Sequence, residues 1–126
     1  MTDLLTLDLK GFAGQGITIQ LECPVTGEKL DSFITVQGAD GSVYKNKRIA
    51  IQKSSYGKES VDHEDNGVQL MCAITMGWSG LSLGAKEIKY SEEEARKLYT
   101  KFDWISDQVF SAVNDRKLFL VNAKAV

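Results

Sequence analysis

The stretch "ITIQLECPVTGEKLDSFITV" (17–36) decides the fold, because it contains two alternating apolar segments on either side of a short turn. In the first segment, "ITIQLEC" (17–23), every second side chain is apolar, which is typical of a β-strand with one buried face. The following "PVTGEK" (24–29) contains a proline and a glycine, both of which favour a turn. Because apolar residues resume in "LDSFITV" (30–36), the whole stretch predicts an antiparallel β-hairpin.

The segment before this hairpin predicts one further strand. In "LLTLDL" (4–9) the leucines alternate at Leu5, Leu7 and Leu9, which would place them on one face of that strand. The glycine-rich "KGFAGQG" (10–16) would connect this strand to the hairpin as a loop. A hairpin alone is only marginally stable in water, so helices from elsewhere must cover its apolar face. The side chains expected on that covered face are Ile17, Ile19, Leu21, Cys23, Leu30, Ile34 and Val36.

The middle of the sequence changes from alternation to helical spacing. After "QGADGS", Ser42 can cap a helix over residues 42–53, although "RIAIQ" (48–52) would also suit a strand. The polar "SSYGKESVDHEDNG" (54–67) predicts a loop, and its acidic residues suit the positive N-terminal end of a following helix. That helix, "VQLMCAITM" (68–76), is apolar on nearly every side, which indicates a central position or a surface shared with a partner.

Two further helices are predicted towards the C-terminus. Ser91 and Glu94 have the spacing of a capping box, and the three consecutive glutamates favour the positive end of the helix dipole. A second helix can start at Asp103. Upstream of both helices, Gly77 and Gly80 allow the backbone to turn tightly around a tryptophan. The apolar stripes expected to face the core are Ala95, Leu98, Tyr99 and Phe102 in the first helix, and Ile105, Val109, Ala112 and Val113 in the second.

These elements predict an α+β fold, in which an N-terminal antiparallel β-hairpin or small sheet (about 4–36) is followed by three to four α-helices. With 126 residues, we expect a single domain over residues 1–126, β-rich over 1–38 and α-helical over 42–119 with the polar loop at about 54–67. A domain of this size buries about two thirds of the surface that its unfolded chain exposes, so it can form its own core.

Composition argues against several classes of function. The formal net charge of −2 and the pI near 5.4 provide no overall basic field for nucleic acid or an anionic membrane. We find no apolar run long enough to cross a bilayer, and "MTDL" (1–4) lacks the basic start of a signal peptide. Cys23 and Cys72 are expected to be reduced thiols in the cytoplasm, with a single disulfide as the alternative.

The sequence contains no motif that predicts catalysis, a cofactor or a metal. His63 is the only histidine, and the calcium-loop spacing that starts at Asp62 would need a glutamate where Ala73 stands. The glycines of "GFAGQG" (11–16) follow the order GxxGxG and lead into a strand, whereas a dinucleotide site needs GxGxxG before a helix. We therefore expect a protein that is not an enzyme.

The two tryptophans have two possible roles, as core anchors or as contacts for another protein. Tryptophan and tyrosine are enriched among the residues that contribute most to protein–protein binding, so the glycine-flanked tryptophan and the helices after it are the candidate interface. The side chains predicted to contact a partner are Trp78, Leu81, Tyr99, Trp104 and Val109.

Five pieces of the sequence, in this order, resemble the tail assembly chaperones of long-tailed bacteriophages. These pieces are "CPVTGEKLDSFITVQGAD" (23–40), "YKNKR" (44–48), "MCAITMGWSGL" (71–81), "YSEEEARKLYTKFDWISDQV" (90–109) and "DRKLF" (115–119). The Gly-Trp-x-Gly followed by a capped helix and a Trp-Ile-x-x-Gln-Val helix is the most specific part of the resemblance.

The resemblance implies a small, non-catalytic protein that is made in the infected host cell. Such chaperones bind the long helical tape measure protein, keep it soluble and help to recruit tail tube subunits. The resemblance therefore implies a host-cytoplasmic location, absence from the mature virion, and the tape measure and tail tube proteins as partners, and we add self-association as an expectation. The alternative that we keep is a small structural phage protein of the tail, neck or head decoration, which would be present in the virion.

Overall fold

The predicted hairpin is present in the computed structural model, which describes residues 1–57 and 62–125. Its strands are β1 (Ile17–Glu22) and β2 (Lys29–Val36), paired antiparallel with Ile19 opposite Ile34. Glu22 pairs with Lys29 after a shift in register, which marks a bulge where the strands approach the turn. The α+β prediction with an N-terminal hairpin is thereby confirmed.

A third strand, β3 (Thr75–Ser79), pairs antiparallel with the free side of β2. The sheet order is β1-β2-β3, so β2 is central and Ile34 lies between Ile19 and Trp78. The prediction of one helix over 68–76 is wrong at its C-terminal end, because helical geometry stops at Ile74. An apolar run without clear periodicity fits a buried strand as well as a buried helix, so pattern alone did not locate this boundary.

The N-terminal segment is helical, which corrects the predicted strand over 4–9 and loop over 10–16. A 3-10 helix (Leu4–Leu7) is followed by α1 (Leu9–Gln15). Aspartate side chains accept backbone N–H groups at both helix starts, from Leu5 to Asp3 at 3.0 Å and from Gly11 to Asp8 at 3.1 Å. These caps satisfy amides that a strand would direct to a sheet neighbour, so the local polar chemistry overrides the alternation of leucines.

Two helices occupy the middle of the chain, α2 (Ser42–Ser55) and α3 (His63–Ile74). The predicted helix after "QGADGS" is confirmed, but its N-cap is Gly41, and no side chain caps it. The predicted polar loop over 54–67 is too long, because α2 extends through Ser55 and α3 begins at His63. The rest of that loop, residues 58–61, lies outside the described residues.

The C-terminal half begins with a small hairpin of β4 (Ser82–Leu83) and β5 (Lys86–Glu87), which the sequence analysis did not predict. It continues with α4 (Glu92–Lys101), α5 (Asp103–Val113) and α6 (Arg116–Ala125). The hydroxyl of Ser91 accepts the Glu94 amide at 3.1 Å, which is one of the two hydrogen bonds of the predicted capping box. Five α-helices therefore follow β2 within the described residues, where three to four were predicted.

The core lies between one face of the sheet and the C-terminal helices. α5 packs on β1 and β2, and α6 packs on β1 and α1. Both α4 and α5 bury the apolar stripe that the sequence predicted. Phe102 is the exception, because it is only half-buried. The fully buried large side chains include Leu21, Ile34, Val36, Ile74, Tyr99, Val109 and Val113.

Phe119 and Arg116 attach the last helix to the loop before α2. Phe119 is buried, and a Cβ on Gly38 would lie 2.8 Å from its ring, so the loop approaches the ring closely. Arg116 donates two hydrogen bonds to Asp40, at 2.8 and 2.9 Å. These hydrogen bonds lower the pKa of the Asp40 carboxyl, because they stabilise its charged form.

Candidate partner-binding surface

Three of the five predicted contact residues are core residues. Leu81, Tyr99 and Val109 expose only 8%, 1% and 0% of their surface. A partner at the surface of this fold cannot reach them, so their predicted role is corrected to packing. The sequence placed Tyr99 and Val109 correctly on the inward stripes of their helices, and that periodicity should have assigned them to the core.

Tyr99 belongs to a buried hydrogen-bonded network at the junction of α3 and β3. The Thr75 hydroxyl donates to the Met71 carbonyl oxygen at 2.7 Å, and it lies 2.6 Å from the Tyr99 hydroxyl. Because the single proton of Thr75 is used by Met71, the Tyr99 hydroxyl donates to Thr75. Burial raises the pKa of Tyr99 well above its usual range, since the phenolate would lose its hydration.

Trp78 is half-buried and fixes the segment after the small hairpin. Its indole N–H donates to the Ile88 carbonyl oxygen at 2.9 Å. The ring meets Tyr90 edge-on, with centroids 5.1 Å apart and an interplanar angle of 87°. The Tyr90 hydroxyl in turn donates to the Thr75 carbonyl oxygen at 2.9 Å. Trp78 therefore holds residues 88–90 against the core through its ring edge and its N–H.

Trp104 lies in the first turn of α5 and is also half-buried, packed against the core cluster. Its side chain keeps some exposed area, so it is accessible at the surface while it contributes to packing. Of the five predicted residues, the two tryptophans are thus the ones that a partner could contact in this structure.

Several large apolar side chains that the sequence analysis did not select are exposed on the surface. Leu83 at the small hairpin and Phe110 on α5 expose 50% and 51% of their surface. Phe33 and Met76 are exposed on the sheet face that carries the Thr18–Thr35 hydrogen bond. The remaining members of this exposed set on regular elements are Leu4, Leu5, Leu7, Val43, Ile49, Leu118 and Val121. Leu83 and Phe110 lie outside the apolar stripes predicted for the C-terminal helices, and the sequence analysis did not select them.

Leu83 belongs to a groove between the small hairpin and α4, which we call the hairpin–α4 groove. Its volume is about 500 Å³, and its apolar lining consists of Leu83, Ile88, Leu98 and Phe102. The charged lining residues are Glu94, Arg96, Lys97 and Lys101, three cations and one carboxylate. The groove is thus apolar at its floor. Of the three cations at its rim, Arg96 forms an ion pair with Asp65 of α3.

A second, wider groove follows the outer edge of β1, where α5 and α6 form its wall. Its volume is about 960 Å³, and Leu118 and Val121 provide apolar surface on the α6 side. At the end of β1, the Gln108 side chain accepts from the Glu22 N–H at 2.9 Å and donates to the Glu22 carbonyl at 2.8 Å. Gln108 therefore takes the hydrogen bonds that a neighbouring strand would make at this end of the edge.

The described residues offer little reactive chemistry. Within residues 1–57 and 62–125, no group of three or more histidine, cysteine or carboxylate side chains is placed to hold a metal ion. Cys23 and Cys72 are free and half-buried. The hydrogen bond from Thr26 lowers the pKa of Cys23, whereas burial raises the pKa of Cys72. His63 lies on the exposed first turn of α3 rather than in a calcium-binding loop.

None of the helices in the described part of the chain is long and apolar enough to cross a membrane. Comparison of the chain with protein-family models, with curated proteins and with solved structures found no match.

Proposed function

We propose that this protein is a tail assembly chaperone of a long-tailed bacteriophage, which binds the tape measure protein reversibly and without catalysis. One structural observation supports this proposal most directly. A well-packed core coexists with exposed apolar side chains beside grooves, chiefly Leu83, Phe110, Leu118 and Val121. Exposed apolar side chains that line grooves with polar rims are candidate sites for binding other proteins. The sequence resemblance supplies the identity of the partner.

A groove with apolar lining suits the helix-in-groove mode of recognition. An amphipathic helix would place the side chains of its apolar face in such a groove and keep its polar face in water. A tape measure protein is expected to present many such faces, which would otherwise associate with one another. Binding of several chaperone copies would cover them, and weak association between copies would increase the overall affinity through avidity. The bound chaperones would then recruit tail tube protein in the host cytoplasm.

Co-expression with the tape measure protein of the same phage tests the proposal. We expect the tape measure protein to move from the insoluble to the soluble fraction, and the two proteins to elute together on gel filtration. The control is co-expression with an unrelated acidic protein of similar size, which should leave the tape measure protein insoluble. An unchanged soluble fraction and separate elution would refute the proposal.

The alternative of a structural phage protein makes a different prediction about the virion. A chaperone acts before the tail is complete, so mass spectrometry of purified particles should detect tail tube protein without this chain. Its recovery from particles in amounts stoichiometric with a tail, neck or capsid component would favour the structural alternative.

A further inference from the structure

We propose that the hairpin–α4 groove is the docking site for a partner helix that carries carboxylates beside an apolar stripe. This inference rests on the proposed function and makes it more specific, because it assigns one surface and the charge of its ligand. The apolar side chains of the partner would enter between the small hairpin and α4. Its glutamates or aspartates would meet the lysines at the rim.

The apolar floor of the groove already exists in the folded chain. Leu98 exposes only 5% of its surface and belongs to the core, whereas Leu83 on the hairpin is half exposed. Ile88 and Phe102 are half-buried and complete the lining between them. A partner side chain would therefore contact Leu83, Ile88 and Phe102 above the buried Leu98. The removal of water from Leu83 would contribute most, because Leu83 is the most exposed of the four.

The hairpin wall is held in place by hydrogen bonds on both sides of Ile88. The Ile88 N–H donates to the Leu81 carbonyl oxygen at 2.9 Å, and its carbonyl accepts from the Trp78 indole at 2.9 Å. Gly84 has φ +61°, a conformation that glycine adopts without strain and that closes the turn of the small hairpin. A wall that is ordered before binding reduces the entropy that association must overcome.

The rim supplies the charge complementarity. Lys97 and Lys101 lie one helical turn apart on α4, and both line the groove. Lys97 has partners at 3.5 and 3.8 Å, in Glu93 and Glu94. Among the described residues no carboxylate lies within salt-bridge distance of Lys101, whose ammonium lies 5.7 Å from the centre of the Phe102 ring. Lys101 is thus a cation beside apolar surface that a partner carboxylate can neutralise.

The short strands of the small hairpin favour a helix over an extended strand as the ligand. The free strand edges of the small hairpin belong to β4 and β5, each only two residues long. A partner strand could therefore form few backbone hydrogen bonds there. A helix needs no such edge, because its affinity comes from side chains at positions i, i+3, i+4 and i+7.

Two synthetic peptides test the proposal directly. Both are amphipathic helices with leucines at that spacing, and their flanking positions are glutamate in one peptide and lysine in the other. We expect the glutamate peptide to bind at least tenfold more tightly by isothermal titration calorimetry at low salt, with affinity that decreases as salt is added. In two-dimensional NMR spectra the shifted amides should lie in residues 82–88 and 97–102. Equal affinity for the two peptides, or shifts confined to other residues, would overturn the proposal.

Matched variants identify the side chains that matter. Leu83→Ser should weaken binding of the glutamate peptide about tenfold, whereas Leu118→Ser in the β1-edge groove should leave it within twofold. Lys101→Glu should weaken binding about fivefold and reduce its salt dependence, and Lys53→Glu on α2 is the charge-matched control. Circular dichroism and the unfolding midpoint verify that each variant is folded. Unchanged affinity in both folded groove variants would overturn the proposal.

Failure of this inference can be distinguished from failure of the proposed function. Each variant is co-expressed with the tape measure protein and scored for its soluble fraction. If the wild-type chain solubilises that protein and the two groove variants do so equally well, the proposed function stands and the groove assignment is overturned. If the glutamate peptide binds the groove but the wild-type chain leaves the tape measure protein insoluble, the groove assignment stands and the proposed function fails.

Discussion

The buried pair Tyr99 and Thr75 provides the sharpest test of the fold, because each hydroxyl depends on the other in a different way. Tyr99 donates to Thr75, and Thr75 donates to the Met71 carbonyl oxygen. In Tyr99→Phe, the Thr75 hydroxyl keeps its bond to Met71 and loses only one donor. In Thr75→Val, the Tyr99 hydroxyl is left in the core without its acceptor.

The two substitutions should therefore differ in their cost. Tyr99→Phe removes one net hydrogen bond, so the free energy of unfolding should fall by about 1 kcal/mol. Thr75→Val leaves a buried donor unpaired and should cost about 2–3 kcal/mol. The double variant removes both members of the pair, so its cost should be about 1 kcal/mol smaller than the sum of the single costs. For a chain of this length, 1 kcal/mol corresponds to about 4 °C in Tm.

Urea denaturation at pH 7, followed by circular dichroism, measures these differences in one double-mutant cycle. A second measurement uses the ionisation of Tyr99, whose pKa is raised in the folded state by burial. Such a group stabilises the fold fully below its unfolded pKa of about 10, and this contribution is lost as pH rises above that value. Between about pH 9 and pH 11, the free energy of unfolding of Tyr99→Phe should therefore decrease less than that of the wild type. The reasoning would be refuted if the costs of the two substitutions were additive. It would also be refuted if the wild type and Tyr99→Phe lost equal stability over this pH range.

Three further predictions concern contacts that hold the elements together. Gly80 has φ +75°, and a Cβ there would lie 2.0 Å from a backbone oxygen of β2, so Gly80→Ala should cost on the order of 3 kcal/mol in urea denaturation. The control Gly84→Ala, which meets no atom within 4 Å, should cost only about 1 kcal/mol. Phe119→Ala should cost about 3–5 kcal/mol in the same assay, because it empties the contact between α6 and the loop before α2, and a loss below 1 kcal/mol would contradict that contact. Because Arg116 lowers the pKa of Asp40, the pair stabilises the fold above about pH 4 and this contribution is lost on acidification, so Asp40→Asn should flatten the decline in Tm below that pH. An acid profile identical to that of the wild type would exclude this role.

Patterns that depend on a single periodicity were sufficient to predict the hairpin and the helices α4 and α5. In β1 the alternation has no interruption, and in α4 the cap at Ser91 and the apolar stripe agree about where the helix begins. Tertiary structure added little to these choices. The α+β class therefore followed from local sequence, including the position of the hairpin at 17–36.

The wrong predictions arose where two patterns competed or where the deciding contact was distant. The leucines of residues 4–9 alternate as in a strand, but the caps at Asp3 and Asp8 favour helical turns. Residues 75–79 form a strand because β2 is available to pair with them, a contact more than thirty residues away in sequence. The candidate surface was least predictable, because the exposure of Leu83 depends on the position of the small hairpin relative to α4.

The Trp78 side chain connects the core to the proposed binding surface, so it can affect binding by supporting that surface. Its ring lies against Tyr90, whose hydroxyl is bonded to the Thr75 carbonyl, while its N–H holds the carbonyl of Ile88 in the groove wall. The same Thr75 carries the Tyr99 network within the core. The prediction that Trp78 contacts a partner and the observation that it anchors the chain are therefore compatible. In this structure the indole acts on the hairpin–α4 groove by positioning Ile88, so its effect on binding would be transmitted through the wall that it supports.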